Sequence, residues 1–459
     1  MRIKPKDIEI DPNLPKYPFD NDLLDREEEI ENLTQIICKL EAPLVLAVNA
    51  PWGTGKTTFI RLWCAYLEQQ SLDFICFNAW ETDFAEDPLI ALISKLDKWV
   101  TNNGKSQNAK WDKFKKDILP KILKRSLIAG AKVATVGALD MEKDYEKIIA
   151  DFSGDITGDL IDKFNEKSQA ITQFKDVIKK ILDKLPKEQK NLIIFIDELD
   201  RCRPTYAIEL LERVKHLFDI ERLVFILSTD LGQLSHSICA VYGNNFESKK
   251  YLKRFIDLDY SLKEPDLKKY IDSQFKTLQI NTNYYDLVGL TLCITKIFGF
   301  KLRDINFLVT RMKLLFLPMS SNQFEPIYIT LIALKHSNES LYQEYILNAE
   351  TSNKIITLLI EGVSKNKDLH FDSGVLISIF SYFIIFEENP QQEKELVDKC
   401  ELFLLSLNKE NNNSYYHSEE IATYVGRLRS ELRCYTLRRY NVMRTIIRHI
   451  ESLNRININ

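Results

Sequence analysis

The chain has 459 residues, of which 45% are hydrophobic and 28% are charged, as in ordinary globular proteins of two or three domains. This composition excludes a mostly disordered chain, a collagen-like chain and a small disulfide-stabilised scaffold. The 62 Lys and Arg residues against 66 Asp and Glu residues give a net charge of −4, which indicates no general affinity for nucleic acid.

The first predicted elements alternate between helix and strand. Apolar residues recur at helical spacing over 23–40 and predict a helix. The apolar runs PLVLAVNA (43–50) and DFICFNAW (73–80) predict buried strands, and a helix follows the turn at 51–56 between them. A further helix is predicted over 87–100, where an Asp at the N-cap precedes a Pro in the first turn.

The next part of the chain interrupts this alternation and then resumes it. Residues 101–190 are polar, rich in Lys and without strand signals, so they predict a basic helical insertion. The runs NLIIFIDELD (191–200) and ERLVFILSTD (221–230) predict a third and a fourth strand, with a helix over 204–219 between them. Strands separated by helices favour a three-layer α/β fold with a parallel sheet.

Strand signals end at about residue 266. The apolar segments 305–317, 326–336 and 375–386 predict an all-helical C-terminal region. The last of these is the longest apolar run and has 12 residues, whereas a membrane-spanning helix needs roughly 20. It therefore predicts a buried helix. The N-terminus lacks the apolar core of a signal peptide, and the eight cysteines form no C-x-x-C pair, so we expect a cytoplasmic protein with reduced thiols.

The segment APWGTGKTT (50–58) follows a predicted strand and opens a predicted helix, which is the context of a phosphate-binding P-loop. Backbone N–H groups of such a turn and the helix N-terminus bind phosphates. Lys56 is expected to reach the β- and γ-phosphates of the nucleotide, and the Thr57 hydroxyl is expected to ligate Mg²⁺. Ala50 stands where the usual pattern has Gly. The predicted phosphate-binding residues are Pro51, Trp52, Gly53, Thr54, Gly55, Lys56, Thr57 and Thr58.

A second acidic motif, LIIFIDELDRC (192–202), completes the predicted site. The apolar strand ends in Asp197, which places a carboxylate at the edge of the sheet where ligands bind in open α/β folds. We expect Asp197 to hold Mg²⁺ and Glu198 to orient the attacking water as a general base. No N-K-x-D motif follows to read guanine, so ATP is the favoured nucleotide.

Three motifs together resemble the KAP family of P-loop NTPases, within the class that has an additional strand and a catalytic glutamate. They are WGTGKTTF, FNAWE (77–81) and IDELDRC (196–202), and the resemblance extends over roughly 15–310. Many family members carry transmembrane helices between the two nucleotide-binding motifs. The corresponding run here, SLIAGAKVATVGAL (126–139), is too short to span a bilayer and is interrupted by Lys132, so a soluble member is indicated.

The resemblance implies ATP hydrolysis by a switch or assembly motor, and it adds three candidate residues. Thr229 at the end of the fourth strand resembles a sensor, Arg254 in YLKRF an arginine finger, and Arg303 in LRD the sensor of a helical lid. An arginine finger acting on a neighbour's nucleotide implies a homo-oligomer. Soluble members resemble components of antiviral defence operons, which implies a protein partner from the same operon. The domains expected are 1–265 with the insertion 101–190, a lid at 266–330 and a helical domain at 331–459.

Four alternatives remain open. The Ala50 substitution favours a nucleotide-binding scaffold with little turnover, and a P-loop could also serve a small-molecule or nucleic-acid kinase. Two basic runs, 105–125 with Trp111 and Phe114 and 427–455 with two Tyr residues, could bind nucleic acid, although a solvated helix face or a partner-protein surface is the favoured interpretation. The first run could also lie on an anionic membrane surface.

Overall fold

A computed structural model describes most of the chain, which divides into two compact units. We call them the sheet unit (Ile8–Glu264) and the helical unit (Pro265–Asn459). The predicted internal boundaries of the insertion, the lid and the C-terminal domain stay predictions. The described residues are 10–40, 43–85, 87–102, 109–123, 156–183, 185, 191–278, 286–316, 325–347, 351–366, 373–385, 387, 389–410 and 446–452.

The sheet unit contains five parallel strands in the order β2-β3-β4-β1-β5, surrounded by helices. This confirms the predicted α/β fold with a parallel sheet. The strands are β1 Leu44–Asn49, β2 Phe74–Asn78, β3 Leu192–Asp197, β4 Leu223–Thr229 and β5 Leu258–Ser261. The helices are α1 Glu27–Lys39, α2 Lys56–Gln69, α3 Pro88–Asn102, α4 Ala109–Lys113, α5 Leu119–Leu123, α6 Ile156–Leu182, α7 Pro204–Leu217, α8 Leu231–Tyr242 and α9 Ser248–Leu252.

The fifth strand was not predicted, so the prediction of four strands was incomplete. Strand β5 pairs with β1, with Leu46 opposite Leu258, and lies at the edge of the sheet. Three of its four residues are exposed. A short edge strand that buries little surface lacks the apolar run by which β1, β3 and β4 could be recognised.

Alternation along β3 distributes large side chains between two cores, one on each face of the sheet. Ile194 and Ile196 face one core, and Ile193 and Phe195 face the other. In the second core Trp63 of α2 packs edge-on against Phe195, with ring centroids 5.3 Å apart. Each large apolar side chain buried in this way contributes about 1.5–3 kcal/mol. The packing fixes α2, and with it the turn that precedes α2, against the sheet.

The start of α1 is joined to the chain around β5 through Glu29. Its carboxylate accepts hydrogen bonds from the Tyr260 hydroxyl at 2.7 Å, the Lys263 amide at 3.1 Å and Nη1 of Arg26 at 2.6 Å. Burial raises the pKa of Glu29, but these hydrogen bonds outweigh it and hold the pKa below its ordinary value of 4.5. The ionised form of Glu29 therefore stabilises this part of the fold.

The described residues of the helical unit form helices and no strands, as the sequence predicts. The apolar run at 375–386 lies in a buried helix, Ser373–Ile385. Within the described residues, no helix has both the length and the apolar character needed to cross a membrane. The helices are α10 Leu267–Leu278, α11 Leu287–Phe298, α12 Leu302–Phe316, α13 Glu325–Ser337, α14 Glu339–Leu347, α15 Ser352–Lys365, α16 Ser373–Ile385 and α17 Pro390–Glu410.

Candidate nucleotide-binding site

The turn between β1 and α2 has the backbone that its glycines predict. Gly53 and Gly55 have φ angles of 77° and 93°, a region that favours glycine, and α2 begins directly afterwards at Lys56. Ala50 is not among the described non-glycine residues with positive φ. The backbone at this position therefore does not require glycine, because Ala50 has no positive φ and its Cβ causes no backbone strain.

The Lys56 ammonium lies across the turn and close to three carboxylates. Its Nζ donates a hydrogen bond to the Ala50 carbonyl at 2.5 Å. Burial lowers the pKa of Lys56, while the negative charges of Asp200, Asp230 and Asp197 act in the opposite direction. The lysine thus occupies a half-buried position between the turn and the carboxyl edge of the sheet, where a phosphate could approach it.

Asp197 ends β3 and faces the start of α2. Its carboxylate accepts a hydrogen bond from the Glu198 amide at 2.9 Å, and an interaction with the Thr57 hydroxyl lowers the pKa of this carboxyl. Burial raises the pKa of Asp197, and the charge of Glu198 raises it further. A half-buried carboxylate beside a hydroxyl is the oxygen donor set that Mg²⁺ prefers, so Thr57 and Asp197 fit a magnesium ion.

Glu198 is held from two directions. Its Oε1 pairs with Nη1 of Arg201 at 2.6 Å, and its Oε2 accepts a hydrogen bond from Nδ2 of Asn78 at 3.1 Å. The backbone of Glu198 has φ 61°, which is uncommon for a residue with a side chain and occurs often at functional sites. The Arg201 guanidinium in turn lies over the Trp80 ring, 5.7 Å from its centroid.

Asp200 is a site residue that the sequence analysis missed. It is buried, accepts a hydrogen bond from the Trp52 indole, and lies 3.4 Å from the Thr229 hydroxyl. One carboxylate therefore joins the phosphate-binding turn, the loop after β3 and the end of β4. The available signal was the third acidic residue of the IDELDRC motif, at 200, to which the sequence alone assigned no role.

The segment after β2 is fastened to the loop after β3 by several further contacts. The Ala79 amide donates to the Asp197 carbonyl at 2.9 Å, and the Arg203 side chain pairs with Asp83 at 3.1 Å. The Thr82 hydroxyl lies 2.9 Å from that of Tyr206. The FNAWE and DELDRC motifs, 120 positions apart, thus form one structural assembly around Glu198.

The remaining predicted residues are dispersed. Thr229 is fully buried at the end of β4, and the neighbouring Asp230 caps α8 by accepting hydrogen bonds from two backbone amides. Arg254 follows α9 and is exposed. Within the described residues no hydrogen bond or ion pair links the Arg254 side chain to the phosphate-binding turn. Arg303 is an exposed residue near the start of α12 in the helical unit.

The aromatic residues of the first basic run do not support the alternative that this run stacks on bases. Trp111 and Phe114 are buried, stack on each other with ring centroids 5.0 Å apart, and contact the core through Phe174. Buried rings cannot stack on bases, so their spacing among lysines reflects an amphipathic helix. Residues 124–155, with the mildly apolar 126–139, and 411–445, with most of the second run, lie outside the described residues.

A parallel sheet, a glycine turn that opens α2, and a carboxylate pair at the end of β3 define a P-loop NTPase domain. The family comparison agrees, since the KAP family P-loop domain matches residues 26–359. The match covers well over half of the chain, and the chain belongs to the KAP family of P-loop NTPases. The matched region begins and ends further along the chain than the 15–310 expected from the motifs. No curated protein matches the chain.

Several solved structures also match the chain, at low similarity. The Aeropyrum pernix ORC2 protein in ADPNP-ADP complexes is 11% identical, over 87% of this chain and 97% of that one, with a TM-score of 0.31. AMPPCP-bound DnaA from Aquifex aeolicus is 12% identical, over 88% of this chain and 100% of that one, also with a TM-score of 0.31. Similarity this low carries no argument about function.

Proposed function

We propose that this protein binds ATP with Mg²⁺ and hydrolyses it to ADP and phosphate. The observation that carries the proposal is the interaction of the Thr57 hydroxyl, at the start of α2, with the carboxylate of Asp197, at the end of β3. The negative charge of the same carboxylate also acts on the Lys56 ammonium and raises its pKa against the effect of burial. A phosphate-binding turn next to an acidic pair is the arrangement that phosphoryl transfer to water requires.

Each residue of the site has a role in this proposal. The backbone of 51–58 and the N-terminus of α2 bind the phosphates, and Lys56 offsets the negative charge of the β- and γ-phosphates. Thr57 and Asp197 would hold Mg²⁺, which would supply positive charge to offset the negative charge of the phosphates. Glu198 orients the attacking water and accepts its proton.

The contacts of Glu198 support a switch rather than a continuously active enzyme. Both of its carboxylate oxygens are engaged, one by Arg201 and one by Asn78. An oxygen in a 2.6 Å ion pair is poorly placed to accept a proton from water, so turnover requires that at least one contact opens. We propose that a partner or a neighbouring subunit opens it.

The finer roles follow the family resemblance. Thr229 would sense the γ-phosphate, and Arg303 would act from a helical lid. Arg254 is exposed and could reach the nucleotide of a neighbouring copy in a homo-oligomer. The ATP-driven switch would then control assembly with a protein partner from the same operon, in a bacterial antiviral defence system.

The direct test measures ATP binding and phosphate release with three variants of the full chain. We expect Lys56→Ala to lose ATP binding. We expect Glu198→Gln to keep ATP bound and to lose hydrolysis by about 10²- to 10⁴-fold. Glu247→Gln, which alters an exposed carboxylate on the approach to α9, is the control and should change neither quantity. Absence of ATP binding by the wild-type chain with Mg²⁺ would overturn the proposal, and phosphate appearing on an acceptor would identify a kinase.

A nucleotide-regulated scaffold with little turnover is the second candidate. The same engagement of Glu198 favours it, because a permanently held glutamate would bind ATP without using it. In that case wild type and Glu198→Gln would retain ATP equally well. A difference in retention between the two proteins would favour the ATPase.

A further inference from the structure

Two cysteines meet on the α2 side of the sheet. The Sγ atoms of Cys64, on α2, and Cys76, on β2, lie 2.7 Å apart and share a hydrogen bond, although the two residues are twelve positions apart in sequence. This separation is only about 0.7 Å longer than a disulfide bond of about 2.05 Å. Small side-chain rotations would therefore suffice to join the two sulfurs.

The two thiols differ in a way that suits stepwise oxidation. Cys76 is exposed, whereas Cys64 is half-buried. The hydrogen bond from Cys64 lowers the pKa of Cys76, and the positive charge of Lys95 on α3 acts in the same direction. The same hydrogen bond and burial raise the pKa of Cys64. Cys76 is thus the accessible thiol with the lowered pKa, and Cys64 is the thiol placed to react with it next.

The remaining described cysteines lack this arrangement. Cys202, Cys293 and Cys400 are buried, and burial raises the pKa of Cys202 and of Cys400 to about 12. Cys239 is half-buried and lies against the Ser248 hydroxyl at 3.2 Å. Among the residues that the structure describes, the 64–76 pair alone combines an exposed thiol, a lowered pKa and a second cysteine in contact.

We propose that Cys64 and Cys76 form a dithiol site that hydrogen peroxide oxidises to a reversible disulfide between α2 and β2. The Cys76 thiolate attacks one peroxide oxygen, the O–O bond breaks, and hydroxide leaves to become water. Cys76 is then a sulfenic acid. The Cys64 sulfur attacks Cys76 Sγ, the S–S bond forms, and the sulfenic oxygen leaves as a second water with the Cys64 proton. Two thiols lose two electrons and two protons, and peroxide gains them; a small dithiol reverses the reaction.

The position of the bond indicates its structural effect. Helix α2 begins at Lys56, and β2 ends at Asn78, which holds Glu198. A covalent link between them restrains the element that carries the phosphate-binding lysine against the strand that carries the partner of Glu198. The bond also reduces the conformational entropy of the unfolded chain. We therefore expect the oxidised sheet unit to melt at a higher temperature than the reduced one.

Peptide mapping of the full chain tests the proposal without any nucleotide. The protein is treated with hydrogen peroxide, and its remaining thiols are alkylated. It is then digested without reduction by a protease that cuts after Glu68, because no Lys or Arg lies between the two cysteines. We expect one linked pair of peptides, containing Cys64 and Cys76, lighter than the two free peptides by two hydrogen atoms and absent after dithiothreitol. The variant Cys239→Ser is the control and should retain the link.

A second measurement uses the dimedone reagent, which traps sulfenic acid. In Cys64→Ser, or in Cys64→Ala if the first variant folds poorly, Cys76 should gain dimedone label because no second sulfur resolves it. Equal labelling of Cys76 in wild type and in the variant, with no linked peptide in wild type, would overturn the proposal. Oxidation that links either cysteine to a different one would overturn it as well.

Discussion

The contact between Trp52 and Asp200 should carry a measurable coupling energy. Trp52→Phe removes the indole N–H but keeps an aromatic ring, and Asp200→Asn removes the charge but keeps a carbonyl acceptor. A hydrogen bond to a charged group contributes about 1.5–3 kcal/mol. Because the Trp52 side chain is half exposed, at 47%, we expect the lower end of that range, a coupling of about 1.5 kcal/mol in the double-mutant cycle.

The chain offers a selective assay for this cycle. All five tryptophans, at positions 52, 63, 80, 99 and 111, lie in the sheet unit, so intrinsic fluorescence during urea unfolding reports that unit alone. With a urea m-value of about 3 kcal/mol/M, a coupling of 1.5 kcal/mol corresponds to a midpoint difference of about 0.5 M. Equal m-values across the cycle are required for the comparison.

A matched cycle provides the control. The Trp99 indole donates to Asp73 at 3.2 Å, so Trp99→Phe removes an equivalent hydrogen bond elsewhere in the same unit. Its effect should add to that of Asp200→Asn within about 0.5 kcal/mol. A coupling energy between Trp52 and Asp200 of about 0.5 kcal/mol or less would refute the idea that Asp200 anchors the phosphate-binding turn.

Three further predictions concern the turn, the acid stability and the core. Gly55→Ala should weaken ATP binding about 5- to 30-fold, because a left-handed backbone costs a residue with a Cβ about 1–2 kcal/mol. The control Gly243→Ala, also at positive φ, should leave the affinity unchanged. A calorimetric titration measures both affinities. Folding lowers the pKa of Glu29, so the ionised carboxylate stabilises the folded state above pH 4.5 and this stabilisation is lost as the pH falls below that value. The urea midpoint should therefore fall less steeply with decreasing pH in Glu29→Gln than in wild type. Trp111→Ala should destabilise the sheet unit by about 3–5 kcal/mol, and unchanged stability would show that the ring is not part of the core.

The predictable parts of the fold are those with a local signal. Apolar runs predict the buried strands β1, β3 and β4. Glycines at positions whose φ is positive predict the phosphate-binding turn. Strand β5 was not predicted, because an exposed edge strand of four residues contains no such apolar run. The interleaved aromatics of 105–125 were misleading, since a helix with one buried face has the same spacing as one that stacks on bases.

The contacts within the site could not be predicted, because they join residues far apart in sequence. Trp52 and Asp200 are 148 positions apart, and Asn78 and Glu198 are 120 apart. A motif indicates which residues matter, but not which of them touch. Asp200 and Arg201 lie within the DELDR sequence, yet their partners became visible only when the sheet order placed β2 and β4 on either side of β3.

The loop after β3 connects these contacts mechanically. Glu198 is bound to the end of β2, while Asp200 is bound to the phosphate-binding turn and lies against the end of β4. The two residues are separated by a single position, at the start of a 3₁₀ turn that begins at Leu199. A displacement of the phosphate-binding turn that pulls on Asp200 must therefore also shift the backbone of Glu198, whose φ of 61° already lies in a sparsely populated region. Because Arg201 follows in the same turn, such a shift changes both halves of the ion pair that holds Glu198, so the phosphate site and the restraint on the glutamate are not independent.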